Sequence, residues 1–183
     1  MSYDLLLTGG MIYNGAGTPG VRGDVAVQAG KIVAVGQVSG TARHTIDADG
    51  FAVAPGFIDV HTHYDAQICW DPLLTPSCWH GVTTVAMGNC GLALAPCKPE
   101  QRQFLVEGLH DRGTITVGKA ADLVVFNPAT IRPQATQTVN DLPGGNARLC
   151  QGAEGIHCTV VNGTVVTQDG VHTGTYPGRV LRG

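Results

Sequence analysis

A carboxylate and two imidazoles recur at alternate positions in Phe57-Ile58-Asp59-Val60-His61-Thr62-His63. On an extended strand alternate side chains share a face, so Asp59, His61 and His63 are expected to point one way and Ile58, Val60 and Thr62 the other. A buried strand tolerates those three groups only when they are paired or bound to a metal. Two imidazoles at this spacing reach a common ion, with Zn–N contacts of about 2.0–2.1 Å. Spacing alone is weak: with seven histidines in the chain, roughly one shuffled sequence in four carries an H-x-H pair. Position strengthens it, because the pair ends a glycine-led apolar strand, where parallel α/β proteins place their sites.

Cys90 follows the next apolar strand, Val82 to Met87, within Gly88-Asn89-Cys90-Gly91. In a βα series it would lie beside His61 and His63, and a thiolate there is a soft donor suited to zinc. Ligating histidines usually donate their other N–H to a carboxylate or carbonyl. Asp59, by its facing, and Asp65, just past the pair, are the candidates for that supporting role. The other histidines (His44, His80, His110, His157, His172) fall in strand, helix or turn contexts that suit a solvated or hydrogen-bonded role.

The elements that must position these residues divide the chain in three. Strand signals fill the first third: Tyr3 to Leu7, stopped by Thr8-Gly9-Gly10; Met11 to Tyr13; and a hairpin of Asp24 to Gln28 with Lys31 to Gly36. Thr45-Ile46 and Phe51 to Val53 add short strands before Pro55-Gly56. The last third repeats the style, with a strand over Asp122 to Phe126 and a hairpin over Thr159 to Val166. In that hairpin Asn162-Gly163 supplies the positive-φ pair of a type I′ turn. In the middle, helix signals open at Thr75-Pro76, closing at Gly81, and again at Pro99. Strand, helix, strand, helix is the pattern of a parallel α/β unit.

Composition agrees with a folded domain: 183 residues, 43% hydrophobic and 14% charged, with 26 glycines and 10 prolines that read as turns between short strands. A net charge of −3 gives no basic footprint, which argues against nucleic acid as a partner. Apolar runs are too short to span a bilayer, so no membrane partner is expected. Met1-Ser2-Tyr3-Asp4 lacks the pattern of an export signal, and a cytoplasmic location is the expectation. Six cysteines without a CxxC pair then read as thiols or metal ligands rather than a disulfide framework.

Taken together, Val53-Ala54-Pro55-Gly56-Phe57-Ile58-Asp59-Val60-His61-Thr62-His63 resembles the first barrel strand of the amidohydrolase superfamily. Gly81 to Gly91 is similar to the second strand of its N-acyl-D-amino-acid deacylase (D-aminoacylase) branch. Lys119 to Pro128 and Gly178 to Arg182 look like that family's C-terminal region. The resemblance implies a zinc-dependent hydrolase, with one or two ions, acting on the acyl amide (a non-peptide C–N bond) of small N-acyl-D-amino acids. It assigns His61, His63 and Cys90 as metal ligands. It implies a mixed β and α/β fold, in which a small β-sandwich built from both chain ends joins a (β/α)8 barrel.

Residue counting limits that implication. Sandwich-like segments take 1–56 and 108–183, leaving 57–107 for the barrel. A barrel needs about 250 residues, or ~31 per βα unit, so the remainder is a remnant of about two units. The family's proton-moving aspartate belongs to the last barrel strand, and no aspartate here matches it, so no catalytic residue is identified. The expectation is an internally shortened amidohydrolase with metal affinity and weak or no turnover alone. Two other readings stay open: a non-catalytic β-sandwich interaction module, self-associating through exposed remnant strands, and a truncated form of a longer enzyme.

Overall fold

Residues 2–68, 71–87, 112–141 and 143–179 are described by a computed structural model of the chain. The N-terminal third forms β1 (Ser2–Ile12), β2 (Val21–Gln28), β3 (Lys31–Gly36), β4 (Thr41–Asp47) and β5 (Ala52–Pro55). The sequence predicts two strands where β1 is one. Gly9 adopts φ +71° and absorbs a register shift against β2 between Leu7 and Gly10. Such a bulge needs a residue that enters the left-handed region at little cost. Asp24 Oδ1 accepts the Gly9 N–H at 2.9 Å, so the bulged backbone keeps a partner. The β2–β3 hairpin turns at Ala29-Gly30, with φ +50° and +75°, the positive pair of a type I′ turn.

After β5 the chain forms β6 (Phe57–Asp59) and, 22 residues further on, β7 (Val82–Val85), a parallel two-stranded ladder separate from the main sheet. Between them lie α1 (Tyr64–Gln67) and a single 3-10 turn over Ser77–His80. Gly81 closes that turn with φ +78°, as the sequence predicts. Thr75 does not cap it. Pro76 takes the cap position, and the Thr75 hydroxyl instead donates to Asp71 Oδ2 at 2.6 Å. The helix expected from Pro99 lies outside the described residues.

The C-terminal part contributes β8 (Leu123–Phe126), β9 (Arg132–Pro133), β10 (Gln137–Val139), β11 (Arg148–Cys150), β12 (Ala153–Glu154), β13 (Ile156–Val161), β14 (Thr164–Gln168) and β15 (Val171–His172). Short ladders join β9 to β12 and β10 to β11. Among the described residues the main sheet has nine strands, in the order β15-β14-β13-β8-β5-β1-β2-β3, with β4 parallel to β1. The described residues are therefore mostly β, with few of them helical.

The antiparallel β5–β8 pair stitches the two ends of the chain into that sheet, Val53 opposite Val125 and Ala54 opposite Val124. One buried cluster spans both ends, with Leu5, Leu7, Val25 and Ile32 packed together with Leu123, Val125 and Val160. Lys119 O accepts the Ile32 N–H and Ile32 O accepts the Gly118 N–H, so the segment after Val117 covers the outer edge of β3.

Candidate metal centre

β6 stops at Asp59, and the ladder's last rung is the Ala86 N–H donating to Asp59 O at 2.8 Å. The extended face predicted through His63 therefore ends four residues early. Alternation survives over the next tripeptide, where His61 and His63 are exposed and Thr62 between them is 4% exposed. It fails at Val60, which is 57% exposed although it is predicted to share the face of buried Thr62. The Thr62 hydroxyl donates to Ala86 O at 2.7 Å, tying the tripeptide to the end of β7.

The two imidazoles stack, with ring centroids 5.9 Å apart and planes inclined by 25°. The two rings are thus neighbours, and imidazole is a nitrogen donor of the kind a divalent zinc ion takes. Asp59 lies against His61, accepting its backbone N–H at Oδ1 (3.1 Å) rather than an imidazole N–H. Asp65 belongs to α1, but its side chain lies outside the described residues, as does the whole of Cys90. Among the described residues no group of three His, Cys, Asp or Glu is arranged to hold a metal.

Beside His63 opens a cleft of about 220 Å³, lined by Asp59, Thr62, His63, Tyr64, Gln67 and Ser77. Its floor is a hydrogen-bonded network that sequence reasoning missed. Tyr64 OH meets Ser77 Oγ at 2.6 Å. Gln67 Nε2 donates to Thr75 O at 2.5 Å and to Asp71 Oδ2 at 2.9 Å. Asp71 also accepts the backbone N–H groups of Leu73 and Thr75. Burial pushes the Asp71 carboxyl upward, but the bonds from Thr75, Gln67 and Leu73 outweigh it and hold it below the usual carboxylate range. Arg148, which forks onto Asp141 with two 2.6 Å bonds, also reaches Thr75 Oγ1 at 3.2 Å. A local signal for part of this network existed in Asp71-Pro72-Leu73, an aspartate able to bond the N–H two residues on.

The remaining described histidines are hydrogen-bonded or exposed. His157 Nδ1 lies 2.7 Å from Asp169 Oδ1 and its ring stacks on Phe51, while His80 Nε2 meets Gln151 O at 2.9 Å. Cys78, Cys150 and Cys158 are free thiols. Burial, and then the Asp71 charge, pushes Cys78 up to about 11, and burial, followed by the Asp169 charge, pushes Cys158 up to about 12. Both are protonated thiols at neutral pH.

Comparison with known proteins finds likenesses over part of the chain. Residues 44–109 match the model of the amidohydrolase family. The chain is 42% identical over 121 residues to a D-aminoacylase of Alcaligenes xylosoxydans xylosoxydans, covering 66% of this chain and 25% of that protein. It is 43% identical over 99 residues to an N-acyl-D-aspartate deacylase of the same organism, covering 54% and 20% respectively. The crystal structure of N-acyl-D-glutamate deacylase from Bordetella bronchiseptica, complexed with zinc and a phosphonate inhibitor that mimics the tetrahedral intermediate, matches with a TM-score of 0.50. That match has 44% identity and covers 55% of this chain and 22% of that one. The chain thus spans a quarter or less of the length of these relatives. Residues 44–109, which contain the His61–His63 pair, thus match the amidohydrolase family, and over part of its length the chain is similar to D-aminoacylases.

Proposed function

We propose that this chain is a metal-binding amidohydrolase segment whose reaction class is hydrolysis of the acyl amide of N-acyl-D-amino acids. The observation that carries the reading is the stacked His61–His63 pair at the C-terminal end of β6, inside the family-matched stretch. In it His61 and His63 hold a divalent ion, zinc by analogy with the B. bronchiseptica deacylase, and Cys90 adds a third donor. When bound, such an ion polarises the amide carbonyl and lowers the pKa of a coordinated water. The chain's own groups do the positioning: Asp59 holds the His61 backbone, and Tyr64, Gln67 and Ser77 wall the cleft beside His63.

The same reading treats 1–56 and 108–183 as a composite sandwich and 57–107 as a barrel remnant of about two units, working in the cytoplasm. The parallel β6–β7 pair supports the remnant. Turnover by the chain alone is weak in this reading, since lack of a positioned proton carrier costs about 10²–10⁴ in rate.

Isothermal titration of zinc into the purified chain tests the metal part. Wild type is expected to bind, with His61→Ala and His63→Ala at least tenfold weaker; equal binding by all three removes the pair as ligands. Hydrolysis of N-acetyl-D-amino acids is expected to run at least a hundredfold below the A. xylosoxydans D-aminoacylase, the lower bound of the rate loss above. A matching rate would overturn the weak-turnover reading.

A further inference from the structure

We infer that Thr62 is the positioning residue of the candidate metal centre: its hydroxyl fixes the geometry in which His61 and His63 meet an ion. The inference rests on the proposed metal-binding reading and adds to it a residue that is not a ligand.

The argument starts where the ladder ends. Asp59 opposite Val85 is the last strand pair of β6–β7, and the Ala86 N–H bond to Asp59 O closes it. Beyond this point neither strand continues, and His61 and His63 carry their rings in solvent. An exposed tripeptide without a ladder would have to lose backbone and side-chain freedom when its two rings close on one ion. Thr62 removes that freedom beforehand. It is 4% exposed between two exposed neighbours, and its Oγ1 donates to Ala86 O at 2.7 Å. Ala86 therefore binds both flanks of His61, through its N–H to Asp59 O and through its carbonyl to the Thr62 hydroxyl.

Threonine suits this place for two reasons. A single χ1 torsion separates Oγ1 from the backbone, so bonding Oγ1 also fixes the backbone from which His61 and His63 project, in serine as in threonine. A buried hydroxyl that loses its partner, or a buried carbonyl that loses its donor, costs more than the bond's net worth. The bond thus holds one arrangement against the alternatives, and holding an arrangement in advance appears as affinity.

The test compares Thr62→Val, isosteric but without the hydroxyl, with Thr62→Ser, which keeps it. Zinc affinity is read by titration and ligand geometry by the visible spectrum of the cobalt(II) form. Thr62→Val is expected to weaken binding about tenfold and to alter the cobalt bands, while Thr62→Ser stays within about threefold of wild type with its bands restored. If Thr62→Val does not melt cooperatively, Thr62→Ala carries the same comparison. Wild-type affinity and spectrum in the valine variant, with binding lost in His61→Ala, overturns the role of Thr62 and leaves the metal reading standing. A serine variant as weak as the valine one also overturns it, since the methyl group would then matter and not the hydroxyl. Unchanged binding in His61→Ala and His63→Ala sinks the metal reading itself.

Discussion

Asp122 and Arg112 form an ion pair in which the side chains are 3% and 7% exposed. The second Asp122 oxygen accepts the Asn162 backbone N–H at 2.7 Å, and Arg112 also donates to Asn162 Oδ1 at 3.0 Å. Removing one partner of a buried pair strands the other charge, at about 3–5 kcal/mol. Asp122→Ala is expected to lower the unfolding free energy in urea by that amount. Arg22→Ala, which breaks the solvent-exposed Arg22–Asp49 pair, is expected to cost less than about 1 kcal/mol. Asp71 governs the acid side. Because its carboxyl titrates below the usual range when folded, the folded state binds fewer protons than the unfolded one around pH 4. Its contribution is fully present above the ordinary carboxylate value of about 4 and is lost as pH falls through the depressed one. Melting temperature measured from pH 6 down to pH 2 is expected to drop on this limb in wild type and to flatten in Asp71→Asn. An unchanged limb in the variant would assign the acid sensitivity to other carboxylates.

At the scale of elements, the hairpin between β13 and β14 gives the sharpest expectation. Asn162 and Gly163 sit at φ +46° and +79°, and a Cβ added to Gly163 would fall 2.8 Å from Gly30 Cα in the facing β2–β3 turn. Gly163→Ala is expected to cost at least about 1–2 kcal/mol from the left-handed backbone alone, read as a lower denaturant midpoint. Both hairpins were legible in the sequence, β13–β14 from the Asn162-Gly163 pair that a type I′ turn requires and β2–β3 from β-branched arms joined by a short glycine-bearing turn. What was not legible depends on distant partners. β1 runs through Gly9 because Asp24, fifteen residues on, receives the bulged N–H. β6 stops at Asp59 because its partner strand ends at Val85. Thr75 is no cap because Asp71 takes its hydroxyl, and a four-residue helix such as α1 is too short to show a period. The histidine pair was readable from type and spacing; Thr62 was not, since its partner is a backbone carbonyl 24 residues away.

For the molecule as a whole, the nine-stranded sheet and the β6–β7 ladder stand in contrast. The sheet closes its β3 edge with the segment after Val117 and packs one core shared by both ends of the chain. The ladder has two strands among the described residues, and Phe57, Val60, Ile68 and Met87 around it are exposed. Parallel strands are ordinarily covered on both faces, and an open strand edge offers unpaired N–H and C=O groups to any matching edge. Apolar surface beside such an edge adds a driving force proportional to the area buried. The nearest supply of a matching edge is another copy of this chain. Among the described residues each copy brings the same two strands of this ladder, so the association expected here is weak and open-ended instead of closing at a fixed number. Sedimentation velocity across a wide concentration range is expected to show a weight-average coefficient that climbs steadily. Val60→Lys, which places a charge on the 57% exposed position at the end of β6, is expected to flatten the climb and reduce binding of a hydrophobic dye while leaving the sheet's melting transition in place. A wild-type chain that sediments as a monomer at every concentration, without taking up dye, would mean that the ladder's edges are already satisfied within one molecule.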